Sequence, residues 1–196
     1  AMRRCESRIK QEAENNPEHY GMGTTLTMAY VLWPKLFVVH VGDSSAYLLR
    51  NGILEKMTHD HTMAKKLVKE GRVDESTVKS SSWKSILWNV VGGYEDSLLA
   101  PEVYQATLQD GDILFLCSNG LNKELSDEQI RNELRENKRA HELCFDIISE
   151  AVAKGNIDDV TAIVARFINK NEEGKIPAAK RDEIEVLDGA PKEANC

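Results

Sequence analysis

Three short turns in this 196-residue sequence place an acid, or the amide of one, beside glycine where an apolar run ends or begins. Gly42-Asp43-Ser44-Ser45 follows Leu36 to Val41, and Ser118-Asn119-Gly120 follows Ile113 to Cys117. Gly155-Asn156-Ile157-Asp158-Asp159 precedes Val160 to Phe167. Taken singly, each is turn chemistry, because Asp and Asn bond their own backbone and glycine accepts positive φ. If the three strand ends share one sheet edge, however, Asp43, Asn119 and Asp158 converge. Hard cations such as Mg and Mn need several converging oxygen ligands, which makes these three the candidate metal ligands. Thr58-His59-Asp60-His61 also contains ligating residue types, but its spacing suits neither an i, i+4 helical pair nor a zinc motif. It reads as structural polar contacts. Gly92-Gly93 reads as a turn, since no helix start or Lys-Ser/Thr follows it.

The elements that would hold these turns are mostly strands. Residues 2 to 16 have a helical pattern, with Ile9 and Ala13 among charges, and Pro17 stops it. Gly21 to Leu32 is rich in Thr and β-branched residues and is expected as one strand, ended by Trp33-Pro34-Lys35. Leu36 to Val41 is apolar on both faces, as a central strand would be. Ser45 to Arg50 and Ile53 to Met57 flank Asn51-Gly52, a strong hairpin signal. Thr62 to Glu70 reads as a short helix ended by Gly71, followed by a polar, Ser-rich loop from Arg72 to Ser85. Val103 to Leu108 and Ile113 to Ser118 are strands joined at Asp110-Gly111. Ser126-Asp127-Glu128-Gln129 is a capping box opening a helix to about Glu136. Arg139 to Lys154 is a second helix with Leu143, Ile147, Ile148 and Val152 on one face, and Val160 to Phe167 is the last strand. Trp83 and Trp88 fall in or near the 62–85 segment and are assigned to packing there.

Composition narrows the classes. Hydrophobic residues make up 41%, enough for a core and against wholesale disorder. The 25 basic against 32 acidic residues leave a net charge of -7, which disfavours a nucleic-acid binder, since phosphate backbones select basic faces. The longest uncharged run, Tyr20 to Pro34, is too short to span a bilayer, and Ala1-Met2-Arg3-Arg4 opens no apolar signal region. Cys5, Cys117, Cys144 and Cys196 form no CxxC pair, so reduced thiols and a cytoplasmic setting are expected.

Four segments together resemble the metal-dependent serine/threonine protein phosphatases of type 2C, the PPM family. Gly21-Met22-Gly23-Thr24-Thr25-Leu26 resembles the family's MGTT strand. His40-Val41-Gly42-Asp43-Ser44-Ser45-Ala46-Tyr47, with Arg50-Asn51-Gly52 and Asp60-His61-Thr62, resembles its GDSRAY…RDG…DHT stretch. Leu116-Cys117-Ser118-Asn119-Gly120-Leu121 resembles CSDGL, and Gly155 to Thr161 resembles GxxDNxT. The resemblance covers residues 2 to 167. It implies an α+β fold, an antiparallel β-sandwich flanked by helices in α-β-β-α layers. It implies hydrolysis of phosphoserine and phosphothreonine in a phosphorylated protein substrate by a water that two Mn or Mg ions activate. Asp158 then matches a direct metal ligand, Asn119 the position of another, and Asp43 the GDSR acid, which in some members helps to hold a third ion. Residues 62–85 match the flap beside the active site. Residues 1–168 are expected to be the phosphatase-like domain and 169–196 a polar charged tail.

The departures from the pattern point to weak activity. Asn119 stands where a carboxylate is expected, so one unit of ligand charge is missing. Asp159 stands in place of the family's Asn, and Ser45 in place of the Arg of GDSR. The resemblance also implies a preceding segment carrying a phosphate-binding Arg, an acidic ligand and an Asp-Gly-His-Gly turn that bridges both metals. No Asp-Gly-His occurs among these residues, and Arg3-Arg4-Cys5-Glu6 lies on a helical pattern instead. The expectation is therefore a domain without its first strands, weakly active or inactive. The alternative is a catalytically dead phosphatase-fold module that binds a regulatory protein or a phosphorylated segment.

Overall fold

The computed structural model describes residues 1–78, 82–94, 97–155, 158–168 and 185–187. Ten strands run in chain order: β1 Gly23–Thr24, β2 Leu26–Leu32, β3 Lys35–Val41, β4 Ser45–Arg50, β5 Ile53–Lys56, β6 Val91–Gly92, β7 Glu102–Thr107, β8 Ile113–Cys117, β9 Ala162–Arg166 and β10 Glu185–Leu187. The helices are α1 Met2–Asn15, α2 Met63–Lys69, α3 Glu75–Val78, α4 Asn119–Glu124, α5 Asp127–Leu134 and α6 Ala140–Ala153. Two four-stranded antiparallel sheets, ordered β10-β7-β3-β2 and β5-β4-β8-β9, carry the fold.

Side-chain alternation along the strands explains how these layers stack. Leu36 and Val38 of β3 and Tyr104 and Ala106 of β7 meet Ala46 and Leu48 of β4 and Leu114 of β8 in one buried cluster. Those residues belong to facing sheets, so this cluster is the sandwich core. The alternate residues of the second sheet, Tyr47 and Leu49 of β4 and Phe115 and Cys117 of β8, enter another cluster with Leu121, Ile130, Leu134, Leu143 and Ile147. Those last five come from α4, α5 and α6, which therefore cover the sheet's outer face. A strand buried on both sides has no polar alternation, which is why β4 is apolar throughout its centre. α1 has no buried residue and rests on β6, with Ile9 against Gly92.

Several expectations shift in detail. The Gly21–Leu32 strand is two pieces, because Gly23 and Thr24 pair with Gly92 and Val91 while β2 pairs with β3. Gly92 is thus a strand residue rather than part of a simple turn, and a Cβ there would strike Ile9. The 72–85 loop contains a short helix, α3, and a 3-10 turn at Ser82–Ser85. Ser118-Asn119-Gly120 opens α4 instead of forming a bare turn. The Asn51-Gly52 hairpin, with φ of 50° and 78°, and the Ser126 capping box form as expected. Of the tail, only β10 is described, pairing with β7; residues 169–184 and 188–196 lie outside the described residues, as do Asn156 and Ile157. Among the described residues Cys5, Cys117 and Cys144 are free thiols. Among them, too, no helix is long and apolar enough to cross a membrane.

Candidate functional site

Asp43 sits just past the end of β3, where Gly42 turns the chain. Gly42 has a φ of 106°, and a Cβ on it would lie 2.3 Å from Thr25 Cγ2, so no side chain fits there. The threonines around the strand break then hold Ser44, the residue after Asp43. Thr25 Oγ1 and Ser44 Oγ are 3.0 Å apart, and Thr27 Oγ1 lies 3.1 Å from the Ser44 carbonyl. The Gly-Thr-Thr segment therefore serves the Asp43 turn from the neighbouring strand.

His61 grips the same turn from the other side. Its backbone N–H donates to the Gly42 carbonyl at 2.8 Å, and its Nδ1 accepts from the Gly42 N–H at 3.1 Å. The Asn89 amide donates to the same Nδ1 at 2.8 Å. Two donors on Nδ1 put the ring proton on Nε2. That nitrogen is 3.2 Å from Glu102 Oε2 but aligned too poorly for a hydrogen bond. Although burial opposes it, the hydrogen bond from the Tyr104 hydroxyl and the neighbouring His61 ring hold the Glu102 carboxyl below its ordinary range. Buried His40 lies 4.7 Å from the His61 ring, centroid to centroid. Its Nε2 donates to the His59 carbonyl at 3.0 Å, and its Nδ1 meets Thr27 Oγ1 at 2.8 Å. Burial, and then the neighbouring His61, push its pKa down from 6.5 to about 4. The 58–61 segment is the structural polar contact it was expected to be, and its contacts end on the Asp43 turn.

The second turn meets the first directly. Asn119 is the first residue of α4, and its Nδ2 donates to Asp43 Oδ2 at 2.9 Å across 76 positions of sequence. The third is brought alongside by a reciprocal link. Ser118 N–H donates to the Thr161 carbonyl, and Thr161 N–H donates to Ser118 Oγ, both at 3.0 Å. Asp158 then reaches Lys123 of α4, with Nζ to Oδ2 at 2.5 Å. Asn119 and Lys123 are four residues apart, so they are neighbours on one face of α4. Asp43 and Asp158 are thus held by the same helix face. Asp159 is exposed.

Asp43 and Asn119 open onto a cleft of about 480 Å³ that Asp60, Thr62, Lys84 and Lys123 also line, whereas Asp158 is not among its lining residues. Asp60 pairs with Lys56 at 2.7 Å. Asn122, also lining the cleft, donates to the fully buried Ser45 hydroxyl at 2.7 Å. Ser45, in place of the Arg of GDSR, is therefore part of the interior. Sequence reasoning passed over Asn122, Lys123 and the grip of His61. Lys123, four residues on from Asn119, carried the available signal once α4 is recognised as a helix.

The donor set does not fit a pair of divalent ions. Asp43 faces the NH₂ of Asn119 and not a second oxygen ligand, and Asp158 already faces an ammonium. Among the described residues no group of three or more His, Cys, Asp or Glu side chains is placed to hold a metal.

The family model described as protein phosphatase 2C matches residues 1–72. The chain is 36% identical over 169 residues to the serine/threonine protein phosphatase PstP of Mycobacterium tuberculosis, covering 86% of this chain and 32% of that protein. A crystal structure of the Mycobacterium tuberculosis PstP/Ppp phosphatase superposes with a TM-score of 0.75 at 35% identity, over 84% of this chain and 68% of that one. A structure of the catalytic domain of PstP with two manganese ions superposes with a TM-score of 0.71 at 34% identity, over 84% and 67%. The chain spans about a third of the curated mycobacterial relative's length.

Proposed function

The chain belongs to the protein phosphatase 2C family, and on that premise we propose that these residues form the part of a serine/threonine phosphatase domain that carries Asp43, Asn119, Asp158 and the flap, with little or no turnover of their own. The observation that carries this is the Asn119–Asp43 hydrogen bond, which joins two of the three candidate turns at one cleft. Thr62, Lys84 and Ser85 of the flap segment line the same cleft, which supports a flap at the entry of a phosphorylated substrate. The substrate proposed is a protein carrying phosphoserine or phosphothreonine.

Weak turnover is supported by the donors. The Asn119 amide brings no charge, Asp158 is paired with Lys123, and no Asp-Gly-His is present to bridge two ions. Any metal-dependent hydrolysis would draw its missing acidic ligands from outside these 196 residues. Lys84 and Lys123 at the cleft favour one second reading, a module that engages a phosphorylated segment or a regulatory protein without hydrolysing it. The test is a phosphopeptide assay in excess manganese. We expect turnover at least about tenfold below that of a complete family member, a barrier difference of about 1.4 kcal/mol or more. Turnover within that margin overturns the proposal, and saturable phosphopeptide binding without turnover supports the second reading.

A further inference from the structure

We infer that α4 supplies from within the chain what a divalent cation would supply at this edge. Lys123 provides positive charge at Asp158, and the Asn119 amide provides a hydrogen-bond donor at Asp43, so the edge is held together without metal. The inference goes beyond the family reading and stands on the geometry of one helix face.

Two carboxylates that approach a common edge repel unless something positive or proton-donating sits between them and water. Here each acid has such a partner, and both partners come from α4. Asn119 and Lys123 are separated by one helical turn, so fixing one carboxylate fixes the spacing of the other. The Ser118–Thr161 link and the Asp43 turn are both anchored by backbone hydrogen bonds, so neither acid has to move to meet its partner. The Asn119 side chain points its NH₂ at Asp43, which is the orientation for holding a carboxylate and the wrong one for sharing a cation with it. A divalent ion would have to displace an ammonium at 2.5 Å from Asp158 and turn an amide around at Asp43.

The Lys123 and Asp158 side chains are both about half exposed, so substitution there leaves the core intact and the edge can be tested in the folded chain. The experiment is thermal unfolding of the 196-residue polypeptide with and without millimolar manganese, together with calorimetric titration of manganese. We expect the native chain to show no manganese-dependent rise in melting temperature. Lys123→Ala combined with Asn119→Asp should convert it to a chain that manganese stabilises, binding the ion at least about tenfold more tightly than the native chain. Lys123→Arg should stay indifferent to manganese, because it keeps the charge. A melting temperature that rises by several degrees when manganese is added to the native chain overturns the inference. So does a Lys123→Ala, Asn119→Asp chain that stays folded and binds no more tightly than the native one. Neither result depends on phosphatase turnover, so the outcome is separate from that of the phosphopeptide assay.

Discussion

Acidification should destabilise this protein through His40, before most carboxylates take up protons. His40 is fully buried at the inner end of β3 and holds the 58–61 segment through the His59 carbonyl. Burial is the largest cause of its lowered pKa, His61 adds to it, and the His59 carbonyl, Glu102 and Asp60 act the other way without reversing it. The unfolded chain takes the proton at about 6.5, whereas the folded chain refuses it until about 4. The contribution of His40 is therefore complete above 6.5 and is lost as the pH falls toward 4. Integrating the difference in bound protons from neutral pH down to about pH 4.5 gives a loss of about 2 kcal/mol. Against a typical domain stability of about 5–15 kcal/mol, that is a substantial share. The assay is urea denaturation at a series of pH values for the native chain and for His40→Gln, whose amide does not titrate. Subtracting one curve from the other removes what the remaining groups contribute. The native chain should lose about 2 kcal/mol more than the variant across this window. Parallel curves would refute the reasoning, because they would mean that His40 is reached by water, and by protons, in the folded state.

Two further predictions concern the turn and the sheet edge. Gly42→Ala should cost about 2–4 kcal/mol in urea denaturation, because it adds contact with Thr25 to the strain of positive φ. Gly71→Ala, also at positive φ but with nothing within 4 Å of the added carbon, should cost only about 1 kcal/mol; equal costs would contradict the packing account of the Asp43 turn. Among the described strands β2 pairs only with β3, and its Met28, Tyr30 and Leu32 are exposed with no charge between Tyr20 and Pro34. Tyr30→Lys should therefore reduce concentration-dependent association in sedimentation velocity, since charged residues on an edge strand disfavour strand pairing; unchanged association would place the contact elsewhere.

Much of the scaffold was legible from the sequence because strong local signals agreed with the tertiary structure. Asn51-Gly52 closes the β4–β5 hairpin, the Ser126 capping box opens α5, and the two-sided apolar run at Leu36 to Val41 is the buried strand β3. The misses have physical causes. Asn and Gly in succession signal a turn, yet Asn119 and Gly120 open α4 because Leu121 and Leu125 bury against the outer face of the second sheet. Tertiary burial outweighed local propensity there. The break at Thr25 is set by the pairing of Gly23 with Gly92, a partner far along the chain that no local pattern indicates. At the site, Asp43, Asn119 and Asp158 could be singled out by their turns, and the structure brings Asp43 into contact with Asn119 and sets Asp158 beside the same helix. The role of Lys123 was not legible, because a lysine in a polar stretch gives no sign of its partner until α4 turns it toward the strand end.

If α4 occupies this edge in place of divalent ions, anomalous diffraction at the manganese edge, from crystals of the polypeptide grown in excess manganese, shows it most directly. The prediction is no anomalous peak within coordinating distance, about 2.2 Å, of Asp158 or Asp43, with Lys123 still paired to Asp158. A pair of peaks bridging those carboxylates, with Lys123 displaced, would contradict it.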